Sequence, residues 1–193
     1  MILVHYCLEG IVIDKKELRK QQIKNLQKAK KQTVADGEVL LDKLQQTPEW
    51  QNAESIATTV SNLFEVPTKP IIEAAIHDGK TVYLPKTMPH RQMAFLPFTD
   101  YDQLITSAYG IPEPEYNEEL VNQEPDLVLV PGVAFAKDSN YRLGFGGGYY
   151  DRYLKKYQGP TIALVPSVME YETAEWGVDD FDVKIDQLIL VED

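Results

Sequence analysis

Residues suited to handling phosphate gather in one stretch, Arg142-Leu-Gly144-Phe-Gly146-Gly147-Gly148-Tyr149-Tyr150-Asp151-Arg152. Four of its first seven residues are glycine, and a helix pattern follows directly. Glycines let backbone N–H groups approach an anion with no Cβ in the way. The unpaired donors and positive dipole end of a following helix would add to that attraction. Arg142 can pair with phosphate oxygens, and Asp151 can hold a Mg²⁺ that bridges them. Neither of the commonest phosphate loops is present. No Gly-Lys-Ser/Thr ending occurs, and Tyr149 stands where the dinucleotide fingerprint requires a third glycine or alanine. Glycine clustering alone fits a long flexible turn about equally well; Arg142 and Asp151 favour the cradle.

Other chemically useful groups are sparser. Residues 15–31 carry Lys15, Lys16, Arg19, Lys20, Lys24, Lys28, Lys30 and Lys31 against only Glu17. Most of this charge reads as a solvated helix face, with one or two cations left to point at a bound anion. His5, His77 and His90 are scattered without metal-ligand spacing. No serine or cysteine nucleophile stands out. Cys7 is the only cysteine, so an internal disulfide is excluded and a reducing compartment is expected.

The elements that must position the loop follow from length and pattern. A chain of 193 residues fits one domain, able to bury a sizeable core without staples. A net charge of -11 argues against a nucleic-acid-binding surface over the whole molecule. Residues 1–10 are apolar but have no basic n-region and are too short to span a bilayer, so neither a signal peptide nor a membrane anchor is expected. The sequence predicts helices over 15–31, from a Thr33/Asp36 capping signal to Pro48, over 69–78 behind Thr68, near 100–107, and over 149–157. It predicts strands over 55–60, 81–84 (closed by Pro85), 92–96, 127–130 (closed by Pro131-Gly132), 161–165 and 187–191. Continuous apolar strands separated by helices imply a three-layer α/β fold, its mostly parallel central sheet covered by helices on both faces. Ligands in such sheets sit beyond the carboxyl ends of the strands, which directs attention to the loop after residues 127–130.

The run Val130-Pro-Gly-Val-Ala-Phe135, followed by Tyr141-Arg-Leu-Gly-Phe-Gly-Gly-Gly-Tyr-Tyr-Asp-Arg-Tyr-Leu154, resembles the signature of the 5-formyltetrahydrofolate cyclo-ligase family, also called methenyltetrahydrofolate synthetases. Lys15-Lys-Glu-Leu-Arg19, Ser61-Asn-Leu-Phe-Glu65 and Tyr109-Gly-Ile-Pro-Glu-Pro114 extend the resemblance upstream. The resemblance implies a single cyclo-ligase domain over 15–193 after an N-terminal extension at 1–14. It also implies an ATP- and Mg²⁺-dependent enzyme acting on a small folate, as a cytoplasmic monomer without nucleic-acid or membrane partners. An ATP site would comprise Lys15, Lys16, Arg19, Arg142, Leu143, Gly144, Phe145, Gly146, Gly147, Gly148, Tyr149 and Tyr150, with Arg142 catalytic. Asp151 and Asp182 would hold the metal. Val60, Glu65, Tyr109, Phe145 and Tyr149 would contact the folate.

One departure from the family pattern is that many members carry a basic residue where this chain has Phe145 or Gly147. Plainer readings stand beside several of these roles: Tyr153 as a core aromatic, Glu65 as a loop carboxylate, Arg152 as a surface partner, and Asp182 as one of several solvated acids. The same cradle would also suit a sugar-phosphate isomerase, an acyl-CoA transferase, or a non-catalytic nucleotide- or folate-binding module. Folate-dependent release of ADP separates these from a cyclo-ligase.

Overall fold

The structure, a computed structural model, describes residues 13–192; residues 1–12 of the expected extension lie outside them. Helix α1 (Lys15–Lys28) starts where the Asp14 carboxylate accepts hydrogen bonds from the Lys16 and Glu17 N–H groups, at 2.9 and 3.0 Å. Such a cap satisfies donors that have no partner inside the helix. Ile13, just before it, bridges to Trp176. Helix α2 (Lys30–Gln45) begins earlier than the Thr33/Asp36 signal suggests. Asp36 is buried and does not cap: it accepts from the Ser167 N–H and Oγ, 131 residues away, at 2.9 and 2.7 Å. Tertiary bonding has taken over a local signal. Pro48 ends that helical pattern and opens a new one, α3 (Pro48–Asn52), capped by Thr47.

Strand β1 (Ser55–Ala57) is shorter than expected, and α4 (Lys69–His77) follows without a side-chain cap. The Thr68 hydroxyl instead accepts from the Ser61 N–H at 2.9 Å. Strand β2 (Thr81–Met88) runs through Pro85 and pairs antiparallel with β3 (Gln92–Pro97). Pro85 lies beyond the point where β1 stops pairing with β2, so its missing N–H breaks no bond to β1. The helix expected near 100–107 is replaced by a short turn and a small hairpin, β4 (Ile105–Thr106) and β5 (Pro112–Glu113). After β6 (Leu127–Leu129) come β7 (Ala134–Ala136) and β8 (Arg142–Leu143), then α5 (Tyr149–Leu154), shorter than the expected 149–157. Strands β9 (Thr161–Val165), β10 (Glu170–Tyr171) and β11 (Gln187–Leu190) complete the chain.

The central sheet has the order β11-β9-β6-β1-β2-β3, parallel except for β3. Alternation along its strands splits the interior into two apolar layers. Ile56, Leu127, Leu129 and Ile162 join Leu40 and Leu44 of α2 and Ile71 and Ile72 of α4. Ala57, Val128, Val130 and Ala163 join Leu18 and Leu26 of α1, Leu154 of α5, and the small sheet β10-β7-β8. Helices therefore cover both faces, as the continuous apolar strands require. Full burial of each large aliphatic chain contributes about 1.5–3 kcal/mol. That rigid floor holds the loops at its carboxyl edge.

Candidate functional site

A cleft of about 820 Å³ opens at the carboxyl edge, with Thr59 after β1 and Pro131 after β6 in its wall. The glycine loop forms one end. Gly146 (φ 101°) and Gly148 (φ 68°) take left-handed conformations open chiefly to glycine, so the loop bends back on itself. The N–H groups of Phe145, Gly146, Gly147 and Gly148 donate to no acceptor among the described residues. With α5 only six residues long, these amides carry more of the attraction for an anion than the helix dipole does.

Arg142 lies under this loop. Its side chain is 3% exposed, and Nη2 pairs with Asp151 Oδ1 at 3.1 Å. A Cβ at Gly144 would meet Arg142 Nη1 at 3.1 Å, so the glycine lets the guanidinium lie against the backbone. Arg142 Nε and the Tyr150 hydroxyl are buried without hydrogen-bond partners among the described residues. An unsatisfied buried donor costs about 1–3 kcal/mol, more if charged, and an incoming acceptor would recover it. From the other wall, Arg19 Nε donates to the Gly144 carbonyl at 2.7 Å, tying α1 to the loop.

Lys15 Nζ bonds Asp179 and Asp182 at 2.5 and 2.6 Å, across 164 and 167 residues of sequence, and lies 5.5 Å from the Phe181 ring centre. Burial by itself would lower the Lys15 pKa; the bonds to the two carboxylates outweigh it and hold the pKa above the ordinary value. Asp182 also accepts from the Asp179 N–H at 2.8 Å. Asp151 and Asp182 thus both line the cleft, each beside a cation, and no group of three or more metal-ligating side chains occurs among the described residues. Hard oxygen donors from two carboxylates fit a Mg²⁺ that takes its remaining ligands from phosphate and water, not one caged by protein alone.

Tyr149, next in the chain to Gly148, reaches from the loop to a second, aromatic side of the cleft. Tyr109, 61% exposed, stands at the β4–β5 turn, and its hydroxyl is 3.0 Å from that of Tyr149. The two rings meet edge to face with centres 5.9 Å apart. Glu65 is buried in the wall, its Oε2 accepting from the Asn62 N–H at 2.6 Å. Burial raises the Glu65 pKa, an effect the Asn62 bond only partly opposes. Glu113, also buried, pairs with Lys86 at 3.4 Å and accepts from Thr87, fixing the hairpin that carries Tyr109 to β2.

Most residues expected from sequence meet in this one cleft, from Lys15 and Arg19 to the stretch 142–151 and Asp182. Two do not line it. Lys16 is exposed, because a one-residue step turns a helical side chain about 100° away from Lys15. Val60 packs against the apolar layer under α2 and α4, while its neighbour Thr59 faces the cleft. Tyr153 is a core aromatic, bonded to the Gln123 carbonyl at 2.8 Å, as the plainer reading has it. Arg152 Nη1 bonds the Gly148 carbonyl at 2.9 Å. Sequence reasoning missed Arg91, Glu113, Asn62 and Lys155, all in the wall. Asn62 and Glu113 lie within the segments 61–65 and 109–114 that carry the family resemblance, whereas no periodicity or motif marks Arg91 and Lys155.

Fold and cleft together define a three-layer α/β protein with a glycine-rich loop and a tyrosine pair in one cleft. The family model for the 5-formyltetrahydrofolate cyclo-ligase family matches residues 12–191, and the chain belongs to that family. It is 33% identical over 149 residues to the 5-formyltetrahydrofolate cyclo-ligase of Haemophilus influenzae, covering 71% of this chain and 78% of that protein. It is 35% identical over 116 residues to a probable 5-formyltetrahydrofolate cyclo-ligase of Schizosaccharomyces pombe, a match spanning 58% of this chain and 56% of the relative. The NMR structure of Aquifex aeolicus 5,10-methenyltetrahydrofolate synthetase superposes with a TM-score of 0.78 at 30% identity, covering 93% of this chain and 90% of that one.

Proposed function

We propose that the cleft converts 5-formyltetrahydrofolate to 5,10-methenyltetrahydrofolate at the expense of ATP, releasing ADP and phosphate. The observation that carries this reading is the buried Arg142 guanidinium, with Nε unpartnered among the described residues, beneath four consecutive uncommitted amides. That is a preorganised site for transferring phosphoryl charge. The γ-phosphoryl group passes to the formyl oxygen. The N10 lone pair then attacks the formyl carbon, N10 loses its proton, and phosphate leaves with the formyl oxygen.

Arg142 and the loop amides stabilise the phosphoryl oxygens, while Arg19 and Lys15 add positive charge from α1. Asp151 and Asp182 would hold a Mg²⁺, which would supply further neutralisation of charge. Tyr109 and Tyr149 present ring surface to the aromatic parts of the folate. Glu65, held toward its protonated form, faces the polar edge of the pterin. The domain over 15–193 acts as a cytoplasmic monomer on this small substrate, without nucleic-acid or membrane partners. Among the described residues no helix is long and apolar enough to cross a membrane.

The test is ADP release by the purified protein with ATP and Mg²⁺, with and without 5-formyltetrahydrofolate. Stoichiometric ADP and methenyl product, both dependent on the folate, are expected. ADP release indifferent to folate, or none at all, would sink the reading.

A further inference from the structure

We propose that Arg91 holds the carboxylates of the glutamate tail of the substrate and so sets how strongly the tail contributes to binding; this rests on the folate reading above. Backbone, charge and position support it.

The β2–β3 connection is the short turn Pro89–Arg91, in which His90 (φ 58°, ψ 27°) and Arg91 (φ 57°) are both left-handed. Residues other than glycine and asparagine adopt this conformation at a cost of roughly 1–2 kcal/mol each. A hairpin turn selected for stability alone would place Gly or Asn there. Strained backbone of this kind clusters at functional sites, where a particular side chain is required in spite of it. Arg91 lines the cleft, so the strained position delivers a guanidinium to the site.

The charge is uncommitted. Arg91 is exposed and has no ion pair or hydrogen bond among the described residues. Of the cations beside the loop, Arg142 is engaged with Asp151, Lys15 with Asp179 and Asp182, Arg19 with the Gly144 carbonyl and Arg152 with the Gly148 carbonyl, which leaves the exposed Lys155, just after α5, as the rival to Arg91. Glu113, the buried carboxylate in the same wall, is taken up by Lys86 and Thr87 and does not neutralise Arg91. Arg91 lines the same cleft as Tyr109 and Tyr149.

Position follows from the order of groups in a folate. The reacting formyl group must reach the phosphoryl donor at the glycine loop, and the aminobenzoyl ring then lies near Tyr109 and Tyr149. The glutamate then continues along the cleft wall, of which Arg91 is part. A planar guanidinium matches a carboxylate in bidentate fashion, and the uncharged loop at Phe145 and Gly147 has no side chain able to do so.

The experiment is a calorimetric titration of the full chain with 5-formyltetrahydrofolate and with 5-formyltetrahydropteroate, which lacks only the glutamate. The parent is expected to favour the glutamate form. Arg91→Ala should weaken binding of that form roughly tenfold, the scale of one charge-assisted contact, and leave the pteroate within about twofold. Arg91→Gly should lose the same discrimination while its Tm rises about 2–4 °C, because the strain is relieved. A merely structural residue would not gain stability as it lost affinity. Equal weakening of both ligands, or discrimination that survives Arg91→Ala and disappears in Lys155→Ala, would overturn the proposal. A parent that binds both forms equally overturns it while leaving the folate reading intact; a parent that binds neither removes both.

Discussion

The two ends of the cleft are built differently. At the glycine loop three cations are held in place: Arg142 by Asp151, Lys15 by two aspartates and Arg19 by a carbonyl. The Arg142 side chain there is buried, and contacts across well over a hundred residues tie α1 to the loop and to Asp179 and Asp182. At the other end Tyr109 is mostly exposed, meets Tyr149 through one hydroxyl contact and one ring edge, and hangs on a hairpin whose strands are two residues long. Under the proposed reaction, phosphoryl transfer would gain from charges that need no rearrangement as it proceeds, which suits the first end. A bulky, multi-part substrate would have to enter and leave, which suits the second.

The largest effects are expected at the rigid end. Arg142→Ala removes the proposed phosphoryl contact and should lower kcat roughly 10³-fold. It also leaves Asp151, partly buried, without its cation, at a cost of about 1–3 kcal/mol in stability. Asp151→Asn should lower kcat as well and weaken the Mg²⁺ dependence. In the double variant Arg142→Ala/Asp151→Asn the melting temperature should partly recover because no lone charge remains, while activity stays lost. Melting curves beside kcat per folded molecule decide between these outcomes. Singles that keep kcat per folded molecule would make the pair purely structural and remove the functional half of the contrast.

Tyr109→Ala probes the open end. Loss of an aromatic stacking face is worth about 1–3 kcal/mol, so KM for the folate should rise roughly tenfold. KM for ATP should change less than about twofold, and an exposed residue should leave the melting temperature nearly unmoved. Steady-state kinetics with each substrate varied in turn reads this directly. A matching rise in both constants would merge the two ends into one.

The smallest effect belongs to Glu65, between them. Its pKa is raised, chiefly by burial. Its contribution to stability is therefore fully present below the ordinary glutamate range and is lost as pH rises through the raised value. Glu65→Gln should match the parent near pH 4 and melt a few degrees higher near pH 8, since each kcal/mol moves Tm about 2–4 °C in a domain of this size. Parallel pH profiles of the two proteins would show Glu65 to be an ordinary ionised carboxylate.

By itself the sequence determined the parts with a local signature. Continuous apolar runs at 127–130 and 161–165 specify buried parallel strands, because a strand covered on both faces has no polar side to show. The glycine run at 144–148 specifies a backbone free to turn left-handed, as Gly146 and Gly148 do. Tertiary structure alone decided what met what. Asp36 and Thr68 read as caps but bond to Ser167 and Ser61, since a buried donor from elsewhere competes with the local one. Strands of two or three residues such as β4, β5, β7 and β8 have no periodicity to read, so the hairpin bearing Tyr109 and the support under Arg142 were illegible. The meeting of Lys15 with Asp179 and Asp182, and the delivery of Arg91 into the cleft, depend on how helix, sheet and loops close in three dimensions. No spacing along the chain encodes that closure.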